Sequence, residues 1–121
     1  MIQAYDSNNV FARILRGEIP CNRVFEDAHV LAFHDIHPQA PVHVVVISKG
    51  AYRDMNDFSA NAPEAEISAL FRAVGKIAAD LNLAGEGYRF LSNCGGHGGQ
   101  EVPHFHVHLF GGRPLGPMLA R

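Results

Sequence analysis

Eight residues near the C-terminus constrain this chain more than any others. Pro103-His104-Phe105-His106-Val107-His108-Leu109 alternates strictly between apolar side chains and imidazoles, and Phe110 follows. Side chains two apart on a β-strand share a face, so such a segment reads as a strand with three histidines on one side, spaced about 6.6 to 6.8 Å apart. Phe105, Val107 and Leu109 take the other side, where a core needs them. Three neighbouring imidazoles are a poor packing choice. They resist burial, and protonating several brings like charges together. Chemistry is the better reason for the row.

Imidazole can act as nucleophile, general acid or base, or metal ligand. A neutral ring that attacks phosphorus gives a phosphorus–nitrogen bond that water can cleave, while neighbouring rings donate hydrogen bonds to phosphoryl oxygens. The middle ring has a helper on each side, which makes His106 the expected nucleophile. The glycine-rich stretch Gly95-Gly96-His97-Gly98-Gly99 precedes the row. There backbone N–H groups can approach an anion without side-chain obstruction, although a plain turn needs glycine as well. A His-x-His strand can also present zinc ligands. No cysteine lies beside the row in sequence and no carboxylate partner is evident, so neither metal nor cofactor is expected.

The rest of the chain reads as one domain over residues 1–121. Residues 1–8 read as a loose tail. Val10, Phe11, Ile14 and Leu15 keep helical spacing behind a cap at Ser7, Asn8 or Asn9, and Gly17 and Pro20 end that helix. Strands are expected at 22–26 and 29–34 around an Asp27-Ala28 turn. A stiff loop with two prolines covers 35–41. The β-branched run Val42–Ser48 (VHVVVIS) is the clearest strand, interrupted only by His43. Residues 49–62 read as a polar connection with a turn of helix near 52–55. Pro63 opens a long helix with an apolar stripe at Ile67, Leu70, Phe71, Val74, Ile77, Ala78 and Leu81, running to about Leu83 and stopping at Gly85. Strands at 87–93 and 102–110 complete the set, and 113–121 forms a C-terminal tail. This pattern predicts an α+β domain: a five-stranded antiparallel sheet with one long and one short helix.

Composition narrows the function further. A formal net charge of −2 provides no basic field for nucleic acid or an anionic membrane. No apolar run is long enough to span a bilayer, and no secretory leader is visible at the N-terminus. Cys21 and Cys94 are far apart with no CxxC pair, which fits two free thiols in the cytoplasm. Of eight histidines, His29, His34, His37 and His97 read as ordinary surface or loop residues.

The motif His104-Phe-His106-Val-His108-Leu-Phe resembles the signature of the histidine triad family. The resemblance runs along nearly the whole chain, from Val10-Phe11-Ala-Arg-Ile14 through Phe33 to His43 and on to Gly98-Gly99-Gln100-Glu101-Val102. Gly111-Gly112-Arg113 after the triad, with Asn93 before the glycine loop, favours the nucleotide-binding (Hint) branch over the diadenosine polyphosphate hydrolases. His108 stands where the galactose-1-phosphate uridylyltransferase branch has glutamine.

The resemblance implies a fold of the family's type, a purine nucleotide substrate and a purine nucleoside phosphoramidase. His106 would attack the α-phosphorus, His108 would contact a non-bridging oxygen, and His104 and His43 would support from behind. Asp35 would bind ribose hydroxyls and Ile36 would lie under the sugar. Val10, Phe11, Ile14 and Phe33 would line the base pocket. Asn93, Gly99, Gln100, Glu101 and Val102 would surround the phosphate and leaving group. Glu101 stands where some members have a hydroxyl residue, so its own contribution is a backbone N–H or a contact to the leaving amine. The branch also implies a homodimer built on the long helix and a strand, with the C-terminal tail reaching toward the partner's site. Two other readings stay open: a hydrolase or transferase of dinucleoside polyphosphates or adenylylated substrates, and a non-enzymatic, nucleotide-responsive interaction module.

Overall fold

A computed structural model describes residues 4–120. The elements run α1 (Val10–Leu15), β1 (Arg23–Glu26), β2 (Val30–His34), β3 (Val42–Ser48), α2 (Met55–Asn61), α3 (Glu64–Asp80), β4 (Arg89–Leu91), α4 (Gly95–Gly98) and β5 (His106–Gly111). The strands form a five-stranded sheet in the order β1-β2-β3-β5-β4, every pair antiparallel. The expected α+β class and sheet are therefore present. Two further short helical segments, α2 and α4, occupy stretches that read as a connection and a loop.

β3 lies at the centre of the sheet and is buried almost throughout. Its alternation separates two clusters, because both faces of the sheet are covered. Val44 and Val46 join Val30, Ala32, Val107 and Leu109 beneath the α3 residues Leu70, Ala73, Val74, Ile77 and Ala78. Val45 and Ile47 point the other way and join Leu31, Phe33 and Phe11, with Ile14 and Leu15 of α1 packed against them. Covering on both faces explains why β3 is apolar at consecutive positions rather than at alternate ones.

Local chemistry fixes the ends of the helices. Asn9 caps α1: its side-chain oxygen accepts from the Ala12 N–H at 2.9 Å, which selects one of the three cap candidates. The long helix stops earlier than its stripe suggests. Asn82 takes a left-handed conformation (φ 60°), and the Leu83 and Asn82 N–H groups bond back to the Ala78 and Ala79 carbonyls at 2.8 and 3.1 Å. This Schellman closure ends the helix without waiting for Gly85, while Leu83 still returns to the core.

The last strand begins later than the alternation predicts. β5 starts at His106, and His104 and Phe105 lie in the irregular lead-in. The lead-in is nonetheless fixed. The Phe105 N–H bonds to the Tyr52 carbonyl at 2.7 Å, and its ring stacks on Phe58 with centroids 4.4 Å apart. β4 is also shorter than expected, covering Arg89–Leu91 only. At the far end of β5, Gly112 sits at φ 96°, and a Cβ there would lie 2.8 Å from Pro41. The turn after the sheet therefore packs against the loop before β3.

Phe105 is 1% exposed and bridges α2 to the α3-side core. Phe105→Ala is expected to destabilise the fold by about 3–5 kcal/mol, the usual cost of removing a buried aromatic ring. Chemical denaturation of both proteins at pH 7 checks this, and a loss below about 1 kcal/mol would contradict the assigned packing.

Candidate functional site

The pairing of β3 with β5 assembles the site. In register, His43 faces Phe110, Val45 faces His108 and Ile47 faces His106. His43, His106 and His108 therefore lie on the α1 side of the sheet, and Val107 and Leu109 point into the α3-side core. His104 precedes the strand but turns to the same side. Phe11 of α1 meets His106 edge-on at 4.8 Å between centroids and His104 at 6.3 Å.

The hydrogen bonds determine where each imidazole carries its proton. His106 Nδ1 lies 2.6 Å from the His104 carbonyl, which can only accept. His106 is therefore protonated at Nδ1, and its Nε2 lone pair is free. His104 Nε2 lies 2.7 Å from the Ser48 carbonyl, so His104 donates there and accepts at Nδ1. His43 Nδ1 accepts from the Gln39 N–H at 3.1 Å. Its Nε2 must then be the donor toward His108 Nδ1 at 2.9 Å, which leaves His108 with a donating Nε2–H. Backbone partners thus leave one unprotonated nitrogen on His106 and one donor on its neighbour His108, with ring centroids 5.0 Å apart.

Electrostatics keep the group neutral. Burial lowers the pKa of His43, His104 and His106 below the usual histidine value. For His43 the Asp35 charge opposes the shift, and for His104 the bond to Ser48 does so. His108 is pushed down to about 4 by burial and by the adjacent His106 and His43. A neutral ring is the form a nucleophile needs.

Other expected site residues fall at different depths. Asp35 brings a carboxylate to the row that spacing alone did not reveal. Its Oδ2 lies 3.4 Å from His43 Nε2, and its Oδ1 accepts from the His37 N–H at 2.8 Å. Phe11 and Phe33 meet edge-on at 5.6 Å, and Ile14 and Val102 pack on their cluster. Val10 and Ile36 are exposed, Ile36 strongly so at 85%. Asn93 is half-buried at the end of β4, and Glu101 is exposed. Gly99 ends α4 in a left-handed conformation at φ 79°.

The Gln100 side chain has a structural task. It accepts from the Gly95 N–H at 3.0 Å and donates to the Arg53 and Val102 carbonyls at 2.6 and 3.1 Å. It pins the glycine turn and does not reach outward. His43 also differs from its expected place behind the nucleophile, since its ring partner is His108. His104 supports His106 through its carbonyl, while its ring turns toward Ser48 and Tyr5.

Among the described residues, Asp35, His43 and His108 have donor atoms within 4.8 Å of one another and so form a set able to hold a metal ion. The His43–His108 edge is already closed by a shared proton, which an ion would have to displace. Cys21 and Cys94 are both free thiols. No helix among the described residues is long and apolar enough to cross a membrane.

Tyr5 is the site residue that sequence reading missed. It falls within the stretch read as a loose tail, of which residues 1–3 lie outside the described part. Its hydroxyl is 2.6 Å from His104 Nδ1. No periodicity marks it, and an aromatic residue four positions before the helix cap was the only available signal.

The lowered histidine pKa values imply a sign for stability. Below the usual histidine pKa the unfolded chain binds protons that the folded site resists, so stability falls as pH drops. It is fully present above about pH 6.5 and declines toward the folded values. His108, with its pKa near 4, contributes on the order of 1 kcal/mol of this between pH 7 and pH 5 once solvent screening of a partly exposed ring is discounted. Urea titrations at pH 7, 6 and 5 measure the slope; stability that is flat across this window would contradict a neutral buried row.

Comparisons with known proteins agree with this geometry. The HIT domain family model matches residues 16–115. A 13.2 kDa HIT-like protein of Azospirillum brasilense is 64% identical over 121 residues, covering 100% of this chain and 99% of that one. The purine nucleoside phosphoramidase of Escherichia coli K12 is 47% identical over 111 residues, covering 92% of each. Among solved structures, a HIT family hydrolase from Clostridium thermocellum superposes with a TM-score of 0.84 at 39% identity, covering 93% of this chain and 97% of that one. One from Legionella pneumophila gives 0.82 at 43% identity, covering 90% and 96%. With the triad geometry, the family match over most of the chain and these relatives in agreement, the chain belongs to the HIT domain family.

Proposed function

We propose that this protein is a purine nucleoside phosphoramidase that hydrolyses the P–N bond of nucleoside 5′-phosphoramidates through a nucleotidyl-histidine on His106. The observation that carries this reading is the 2.6 Å contact from His106 Nδ1 to the His104 carbonyl, which leaves Nε2 unprotonated. The E. coli relative named purine nucleoside phosphoramidase supports the choice of substrate class.

In the first step His106 Nε2 attacks the α-phosphorus, and the bond from phosphorus to the amine breaks. The amine leaves with a proton from solvent. The His106 ring becomes positively charged, and its Nδ1–H bond to the His104 carbonyl strengthens. His108 Nε2–H donates to a non-bridging oxygen, with His43 behind it holding the required tautomer. In the second step water attacks phosphorus and loses a proton to solvent, and the P–Nε2 bond breaks. The products are the nucleoside monophosphate and neutral His106.

The remaining roles follow the same reading. Asp35 binds ribose hydroxyls and Ile36 contacts the sugar, with Val10, Phe11, Ile14 and Phe33 forming the base site. Asn93, Gly99, Glu101 and Val102 face the phosphate and leaving group; Gln100 shapes that edge by holding the glycine turn. A cytoplasmic homodimer is the working assembly. β4 is an edge strand, and Phe71, Tyr88 and Phe90 around it and on α3 are exposed, as a face that pairs with a second copy would be.

Wild type is expected to release AMP from adenosine 5′-phosphoramidate, and His106→Ala to lose at least about 10³-fold in kcat. Equal rates would sink the mechanism. A higher kcat/KM on diadenosine tetraphosphate than on the phosphoramidate would replace this reading with the polyphosphate one. Sedimentation velocity should give a dimer for wild type and a shift toward monomer for Phe90→Glu; a monomeric wild type would remove the assembly.

A further inference from the structure

The N-terminal segment enters the site through a continuous hydrogen-bonded path. Asn9, 5% exposed at the start of α1, uses both ends of its amide. Its oxygen caps the helix, and its Nδ2 donates to the Tyr5 hydroxyl at 3.0 Å and to the Asp6 carbonyl at 2.7 Å. The Tyr5 oxygen therefore accepts a hydrogen bond from Asn9, and its own O–H points to His104 Nδ1 at 2.6 Å. The His104 ring passes the constraint on by donating from Nε2 to the Ser48 carbonyl at 2.7 Å. Tyr5 also packs edge-on against that ring, with centroids 5.7 Å apart.

This path matters because of where His104 sits. It lies outside β5, so no ladder bond holds it; the peptide that carries its carbonyl is anchored on one side by the Phe105 N–H bond to the Tyr52 carbonyl at 2.7 Å, and on the other by the His104 residue itself. Its ring is completely buried and has two polar atoms, each with one partner. Clamping both ends of the ring fixes the side-chain torsions and with them the backbone at residue 104. That backbone supplies the acceptor for His106 Nδ1. Without the phenol, Nδ1 becomes a buried acceptor lacking its partner, and the ring has reason to turn away from Ser48.

We propose that Tyr5 is a positioning residue, whose hydroxyl acts through the His104 ring to fix the carbonyl that holds His106 in its nucleophilic tautomer. The proposal rests on His106 being the nucleophile. It makes the first turn before α1 part of the working site.

The test uses the full-length chain and Tyr5→Phe, which keeps the ring and removes one oxygen. Long-range ¹H–¹⁵N spectra of the imidazoles read the tautomers directly. Wild type should show His104 protonated at Nε2 and His106 at Nδ1. In Tyr5→Phe the His106 signals should move toward a tautomer mixture. On adenosine 5′-phosphoramidate kcat should fall about tenfold with KM changed less than twofold, because a ground-state tautomer and not substrate contact is altered. Thermal melting of the variant confirms that it is folded.

A wild-type His104 protonated at Nδ1 would overturn the proposal without any variant. An unchanged His106 tautomer with unchanged kcat in Tyr5→Phe would overturn it as well. If wild type releases no AMP, the phosphoramidase reading fails by itself, and the tautomer spectra still decide whether Tyr5 governs His106.

Discussion

The bond from His106 Nδ1–H to the His104 carbonyl is the interaction on which the site depends. A backbone carbonyl has no proton to give. It therefore selects one tautomer of the ring, and the lone pair at Nε2 follows. The choice spreads outward by the same logic. The Gln39 N–H sets His43, and His43 sets His108. Main-chain groups at Gln39, Ser48 and His104, with the Tyr5 hydroxyl on the His104 ring, hold the proton pattern of four imidazoles. Burial then keeps the rings neutral, which is the state in which this pattern has meaning.

Much of this was legible in the residues. The period-two alternation gave the imidazole face, and the β-branched run at 42–48 gave the strand that supports it. The limits of the sequence are equally physical. Alternation extends one residue pair beyond the strand, because His104 and Phe105 keep the correct sides without ladder bonds; Phe105 is held by the Tyr52 carbonyl ahead of α2 and by Phe58 of α2. The apolar stripe of α3 overran its end, because Leu83 reaches the core after a Schellman turn rather than from within the helix. Asp35 and Tyr5 approach the histidines only through tertiary structure, and no spacing rule connects them to residues 43 and 104 in advance. The resemblance placed Gln100 around the phosphate, whereas its side chain binds the glycine turn.

The two sides of the sheet carry different loads. The α3 side is hydrocarbon and aromatic carbon, and its energetics are those of an ordinary core. The α1 side mixes the histidines with Phe11, Phe33, Val45 and Ile47, so polar groups there are buried only because each has a partner. Among the described residues no buried side-chain nitrogen or oxygen is left without one. That accounting explains how a face with four imidazoles stays ordered.

β5 also interleaves the two loads residue by residue, with His106 and His108 on one side of the ladder and Val107 and Leu109 on the other. A slip of one residue against β3 would turn Val107 and Leu109 out and drive the imidazoles into the hydrocarbon layer. The misregistered chain would lose its core and its reactive nitrogens together. Folding fidelity and chemical competence are therefore tested by a single event, the alignment of β5 on β3, and a molecule that has passed one test has passed the other.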